Sequence, residues 1–329
     1  MENKKINNLP DDAEGASENQ SKSEMSNGAI RKNNASDKKK FFSGWFILPI
    51  LLLILILLSL VFYKTGVFQS LKDFVLPKNA PFFFPPEPPD GSKILEETGS
   101  MKNSSSHDWW LNSGGVMRID GNIFSTNIGS LPKDNAWRRL YAKSNQQDTD
   151  DGYYPQNIFR LVTRKKWQNL SQILYFNIEK TNASDSKYRN ESNGILLFNR
   201  YQDGDNLYYA GIRVDGQAVI KKKIGGKYYT LAEKPIFSGD KKYERSDNPN
   251  LLPQNTWLGI RSDLVNAEGG AVEIRLYLDR EEKNDWQLIL DAKDKGNDNG
   301  QAPFLNEGYA GIRTDFMDVK FKKYGIQKI

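Results

Sequence analysis

Between residues 200 and 230 the chain gathers side chains of the types that recognise a sugar carrying acid groups. Tyr209, Arg213, Lys221, Lys223 and Tyr228 combine aromatic rings with cations and phenolic hydroxyls. Rings stack on the apolar faces of sugars, while the polar groups read hydroxyls and any carboxylate. Trp167, Tyr175, Asn177 and Arg200 are further candidates of the same kind, and Tyr175 and Asn177 share one face of their predicted strand. Catalysis asks for more. Glycoside hydrolysis needs two carboxyl groups at one site; the nearest pair, Glu273 and Asp279, has Arg275 and Tyr277 between its members and reads as a solvated outer face. A polysaccharide lyase needs a base and a group to neutralise a uronate, tasks that Tyr, His, Arg, Lys and Asn can share. The single histidine, His107, falls in a predicted loop. No catalytic residue is assigned. Asp148, Asp150 and Asp151 begin like a calcium loop but lack its later ligands, so they read as an acidic turn. No cofactor is expected, and a structural Ca2+ has no complete motif behind it.

The strands that carry the first group can be set in register. In Tyr208–Val214 and in Ala218–Ile224 the even positions are the more apolar. A two-residue Asp215-Gly216 turn would set even positions against odd ones. A three-residue loop, Val214 to Gly216 with Gly216 left-handed, pairs 212 with 218 and 210 with 220, so that the apolar faces coincide. A Gly225-Gly226 hairpin then pairs Ile220 with Leu231 and Lys221 with Thr230. One face carries Ala210, Ile212, Ala218, Ile220 and Leu231. The other carries Tyr209, Arg213, Lys221, Lys223, Tyr228 and Thr230.

From about residue 107 onward, strand-length runs alternate with Gly, Asp and Asn, and no amphipathic helix is evident, which is the pattern of an all-β sandwich or barrel. Tyr209-Ala210-Gly211-Ile212-Arg213 recurs as Tyr309-Ala310-Gly311-Ile312-Arg313 with nothing repeated around it, marking two strands whose glycine admits close backbone approach.

The rest of the chain is of a different character. Residues 1–40 are polar and hold no aromatic residue, the composition of a disordered tail. Phe41 to Tyr63 contains no charge and suffices for a transmembrane helix. Lys38, Lys39 and Lys40 before it keep the N-terminus cytoplasmic, giving a single-pass cell-membrane protein with its C-terminal domain extracytoplasmic. Residues 64–106, rich in proline around Phe82-Phe83-Phe84, read as a stalk or linker, with the domain at 107–329. Lys and Arg exceed Asp and Glu by 46 to 41 overall and by 11 to 8 in residues 1–79, which leaves 35 to 33 beyond. A nucleic-acid binder carries a concentrated basic surplus, so no such partner is expected. The partners expected are a membrane and a glycan.

The stretches 194–231, 255–263, 272–281 and 308–326, with the Trp257-x-x-Ile260-Arg261 strand start and the Gly308-x-x-Gly311-Ile312 ending, resemble the concanavalin A-like lectin/glucanase (laminin G-like) jelly rolls. The resemblance covers about residues 110–329. It implies two antiparallel sheets, the concave one holding a glycan. Retaining glucanases of this group carry Glu-x-Asp-x-x-Glu on one strand, and no match exists here. Many of these domains place a calcium-binding Asp in the final strand, where Lys320-Phe321-Lys322-Lys323 stands, putting such a site in doubt. The expected function is non-catalytic carbohydrate binding. The alternatives are a lyase or hydrolase of acidic polysaccharide, and a protein-interaction domain in the envelope.

Overall fold

Strands of 8 to 12 residues place apolar side chains at alternate positions toward one core, and such strands are stable only as stacked sheets; much of the other face is buried as well. The computed structural model describes residues 82–83, 93–237, 241–296 and 301–329, all within one compact unit, Asn79–Ile329. The expected tail and membrane span, residues 1–63, lie outside them. Among the described residues no helix is long and apolar enough to cross a membrane.

Along the chain come β1 (Phe82–Phe83), β2 (Ile94–Glu96), β3 (Trp109–Ser113), β4 (Val116–Asp120) and β5 (Ile123–Thr126). After helix α1 (Ala136–Ser144) follow β6 (Ile158–Trp167), β7 (Leu170–Thr181), β8 (Gly194–Asp203), β9 (Asn206–Arg213), β10 (Gln217–Ile224) and β11 (Lys227–Pro235). The last five are β12 (Leu258–Ala267), β13 (Ala271–Asp279), β14 (Gln287–Asp294), β15 (Gly308–Asp315) and β16 (Met317–Lys328). They form an all-β, two-sheet antiparallel sandwich. A nine-stranded sheet runs β14-β13-β12-β7-β16-β5-β4-β2, with β1 on the flank of β16; a seven-stranded sheet runs β11-β10-β9-β8-β15-β6-β3.

The register of the central hairpins follows the hydrophobic pattern. Ala218 pairs with Ile212 and Ile220 with Ala210, and Gly216 takes a left-handed φ of +79°, which a side chain would disfavour. Lys221 pairs with Thr230, but Ile220 pairs with Ala232 instead of Leu231, because a bulge intervenes. Leu197, Ala210, Ile220 and Ile312 of the smaller sheet meet Leu174, Phe176, Ile260 and Phe321 of the larger in one core. A polar bridge crosses that core. Gln172 Nε2 donates to Phe198 O (2.7 Å) and Asn199 Oδ1 (2.8 Å), and Tyr324 Oη donates to Gln172 Oε1 (2.8 Å). Buried polar groups satisfied in this way fix one register.

Three features depart from the sequence reading. Strands β1 and β2 fall inside 64–106, the stretch read as linker, and pair with β16 and β4. Strands β3 and β5 were not expected. Helix α1 also exists; its short apolar stripe of Trp137, Leu140 and Tyr141 buries only Tyr141 fully, while Leu140 stays exposed. Asn135 Oδ1 caps it by accepting from the N–H groups of Trp137 and Arg138. Tyr141 Oη anchors it, accepting from Gly114 N (2.9 Å) and donating to Glu97 Oε2.

Candidate functional site

In the seven-stranded sheet, residues alternating with the core ones form a second apolar cluster around Val162, Leu196, Phe198, Tyr209 and Val219. It lies on the sheet's outer face, because the alternating positions Leu161, Ile195, Leu197, Tyr208, Ala210, Ala218 and Ile220 belong to the inter-sheet core. One row of this face runs from Lys221 through Tyr209, Phe198 and Gly311 to Val162 and Trp110. Although it points away from the core, Tyr209 is only 4% exposed and Phe198 1%. The centre of the face is therefore covered by its neighbours, with Tyr228, 51% exposed, at its open side.

Aromatic rings and one guanidinium form its centre. The ring of Tyr209 meets Phe198 edge-on at 5.4 Å and stacks with Tyr228 at 6.0 Å. Arg313 donates from Nη1 to Tyr209 Oη (3.3 Å) and from Nε to Asp315 Oδ1 (2.8 Å). Room for the backbone beneath comes from the two glycines of the repeated pentapeptide. A Cβ on Gly311 would lie 2.2 Å from Leu161 O, and one on Gly211 2.2 Å from Ile195 O. Burial pushes the Tyr209 phenol up, against the opposing effect of Arg313. At Tyr228 burial also raises the value, but Arg313, Lys223 and hydrogen bonds from Arg313 and Tyr209 outweigh it and hold the phenol below its ordinary range. Burial first, then the charge of Arg213, lowers the Lys221 ammonium.

The structure brings together five of the nine expected site residues: Tyr209, Arg213, Lys221, Lys223 and Tyr228. Their states differ. Arg213 is held by Asp215 (2.5 Å), Glu233 (3.4 Å) and Glu191 O (3.1 Å). Lys223 is held by Asp205 (3.1 Å) and Gly204 O (2.6 Å), with its ammonium over the Tyr228 ring. Lys221 has no ion pair or side-chain hydrogen bond among the described residues.

The other four stand elsewhere. Trp167 belongs to the inter-sheet core. Arg200 is fully buried in a bulge at φ +49° and ties loops together, donating to Gln168 O (2.9 Å), Phe304 O and Asn169 Oδ1 (3.4 Å). Desolvation brings its pKa down to about 10. Its strand is apolar on both sides, and the bulge turns Arg200 inward. Tyr175 and Asn177 do share a face, but it is the outer face of the nine-stranded sheet, where Tyr175 donates to Asp279 Oδ2 (2.7 Å) and packs beside Trp286 (5.5 Å). Lys322 and Lys323 lie over the rings of Trp257 and Tyr175 on that side and both pair with Glu282. Those ring faces are thus already covered.

Sequence reasoning missed Arg160 and Arg313, which face out beside Tyr209, and Trp110 at the row's end. The repeated pentapeptide carried the signal for Arg313. Its second copy pairs with β8 as the first does, offset along the strand but in the same alternation, so Tyr309 and Arg313 face the same way as Tyr209 and Arg213.

Asp148, Asp150 and Asp151 act as turn fasteners. Ser186 Oγ donates to Asp148 (2.5 Å), Ser184 Oγ to Asp150 (2.6 Å) and Gln146 Nε2 to Asp151 (2.6 Å). The final strand begins earlier than the lysine-rich stretch and holds a buried aspartate, Asp318, which accepts from Gly129 N (2.8 Å), Gln156 Nε2 (2.8 Å) and Asn182 Nδ2 (3.0 Å). The other amide atoms, Gln156 Oε1 and Asn182 Oδ1, are buried without partners. Rotating both amides would turn hard oxygens toward Asp318, the donor chemistry that Ca2+ takes. No group of three or more His, Cys, Asp or Glu able to hold a metal exists among the described residues. An open depression of about 660 Å³ lies away from the aromatic row, where Asp185 and Glu244 offset Arg189 and Arg245.

No family model and no curated protein matches the chain. Among solved structures it is similar to the carbohydrate-binding module CBM66 from Bacillus subtilis, at 14% identity and TM-score 0.41, covering 67% of this chain and 95% of that one. It is similar to the Ca2+/Man-bound exoplasmic/lumenal domain of VIP36, at 11% identity and TM-score 0.35, over 72% and 90%. A putative glycosyl hydrolase from Parabacteroides distasonis stands at 10% identity and TM-score 0.35, over 67% and 88%. These are likenesses of β-sandwich shape and decide nothing about a ligand.

Proposed function

We propose that the chain is a non-catalytic glycan-binding protein whose ligand lies on the outer face of the seven-stranded sheet. The observation that carries this reading is the outer-face cluster in which the exposed Tyr228 ring stacks on Tyr209 at 6.0 Å beside Arg313. Tyr228, 51% exposed, supplies ring area for a sugar face, with Tyr209 packed behind it, and the guanidinium and phenols supply directed hydrogen bonds. Placing the sandwich among the concanavalin A-like jelly rolls belongs to the same proposal. So does the anchor: residues 41–63 would hold the domain outside the cell membrane. A glycan array probed with the full-length chain in detergent tests the reading. Retention of at least one polysaccharide class is expected, and no retention of any class overturns it. Resistance to carbonate extraction from membranes tests the anchor.

One observation favours a second reading, a polysaccharide lyase. The depressed phenol of Tyr228, beside Arg313 and Lys223, is suited to take up a proton. Release of unsaturated uronate, read at 235 nm, would replace the binding reading with this one. An envelope protein-interaction domain is the third reading, and capture of no sugar would favour it. The oxygens around Asp318 would hold a structural Ca2+, stiffening the 129, 156 and 182 loops without taking part in ligand binding.

A further inference from the structure

Besides Lys166, which lies over Tyr309, the cations that face outward around the aromatic row include Arg160, Arg213, Lys221, Lys223 and Arg313. Three are neutralised by carboxylates, Arg213 by Asp215 and Glu233, Lys223 by Asp205, and Arg313 by Asp315. Arg160 and Lys221 have neither an ion pair nor a side-chain hydrogen bond among the described residues. Both are half-buried, so water does not simply surround them. Each also stands beside a like charge. Arg160 is directly opposite Arg313 across β6 and β15, a cross-strand arrangement that destabilises a sheet. Lys221 has its proton affinity lowered by burial first and then by Arg213, against Glu233, Tyr228 and Asp215, which face it without forming an ion pair. Two half-buried cations left without an ion pair on one face offer charge that a bound anion can take up.

Their spacing limits that anion. Lys221 is on β10 and Arg160 on β6, with β9, β8 and β15 between them. Four strand spacings are about 19 Å. A single sugar acid cannot reach both. A chain laid across the strands can, and it would cross β9 at Tyr209 and β15 at Arg313 on the way, with the Tyr228 ring of the edge strand at its Lys221 end.

We propose that the ligand of this face is an acidic polysaccharide lying across the strands, its anionic groups held by Lys221 at one end and Arg160 at the other. This rests on the glycan-binding reading and specifies the ligand's class. The chemistry asked for is a repeated anionic substituent, either carboxylate or sulfate.

The test measures affinities of the full-length chain in detergent for two matched pairs, polygalacturonate against its methyl ester and dextran sulfate against dextran. At least one acidic member should bind tenfold or more tighter than its neutral twin, and which pair responds tells carboxylate from sulfate. The double variant Arg160→Met with Lys221→Met should lose that preference while melting no lower than the parent. The variant Lys143→Met with Lys328→Met removes as much charge from exposed positions elsewhere and should keep it. Equal binding of acidic and neutral members would overturn the acidic assignment and leave glycan binding standing. A preference that survives in the Arg160/Lys221 variant overturns its location. Binding of no polymer in either pair or on the array overturns both.

Discussion

Three consecutive lysines in β10 have different fates, and the middle one allows the sandwich to be tested without touching the candidate site. Lys222 is 3% exposed. Its ammonium lies 2.9 Å from Asp294 Oδ2 and donates to Gln301 O (3.0 Å) and Ala302 O (2.7 Å). Tyr208 Oη donates to the same carboxylate oxygen (2.6 Å), and Gly296 N to the other (2.9 Å). Lys222→Met keeps most of the stem and removes the charge, leaving Asp294 buried and short of its counter-ion. Removing one partner of a buried pair costs about 3–5 kcal/mol. For a domain of this size each kcal/mol moves Tm by about 2–4 °C, so a fall of about 6–20 °C is expected by scanning calorimetry. Adding Asp294→Asn should recover part of the loss, because the stranded charge disappears and the amide oxygen still accepts from Tyr208. Lys221→Met, one residue away, should leave Tm level or higher. If Lys222→Met melts with the parent, or Lys221→Met melts lower than Lys222→Met, the assignment of these lysines to opposite faces is refuted.

Other expectations follow from the same contacts. Desolvation raises the Glu97 pKa against bonds from Tyr141, Gly115 and Gly114; a raised carboxyl contributes stability below its unfolded pKa and loses it as pH climbs through the folded one. Glu97→Gln should therefore stabilise the protein near neutral pH and lose that advantage in acid, as a melting series over pH would record. Affinity for an acidic glycan should fall as pH rises, since ionisation of Tyr228 adds negative charge and deprotonation of Lys221 removes a cation. In Tyr228→Phe the part of that fall due to the phenol, followed by titration calorimetry, should vanish. Millimolar Ca2+ should raise Tm and a chelator lower it, whereas Asp318→Asn should melt lower and respond to neither; an unchanged parent Tm excludes the calcium site.

Much of the sandwich is legible from local rules because its hairpins announce themselves. The parity of apolar residues around Asp215-Gly216 admits one register, and a one-residue slip would have put Tyr209 into the core. What stayed hidden depends on distant chain segments. Arg200 turns inward through a bulge that neither its neighbours nor its spacing betrays. Helix α1 is held by the anchoring of Tyr141 to Gly114 and Glu97, a contact across 44 residues of sequence. Tyr175 and Tyr209 look alike in their strands, and only strand order places them on opposite sides of the molecule. Arg313 was within reach, since its pentapeptide repeats that of Tyr209, but the repeat had to be read as a shared orientation.

That separation of faces provides the most direct test. Tyr228, 51% exposed on the edge strand β11, and Trp286, beside Tyr175 on the opposite sheet, are rings that each face can lose without emptying the core. With the best-retained polysaccharide, titration calorimetry of Tyr228→Ala should show about tenfold weaker binding, the loss typical of one aromatic anchor, while Trp286→Ala binds as the parent does. The reverse result, weakened binding in Trp286→Ala and none lost in Tyr228→Ala, would contradict the account.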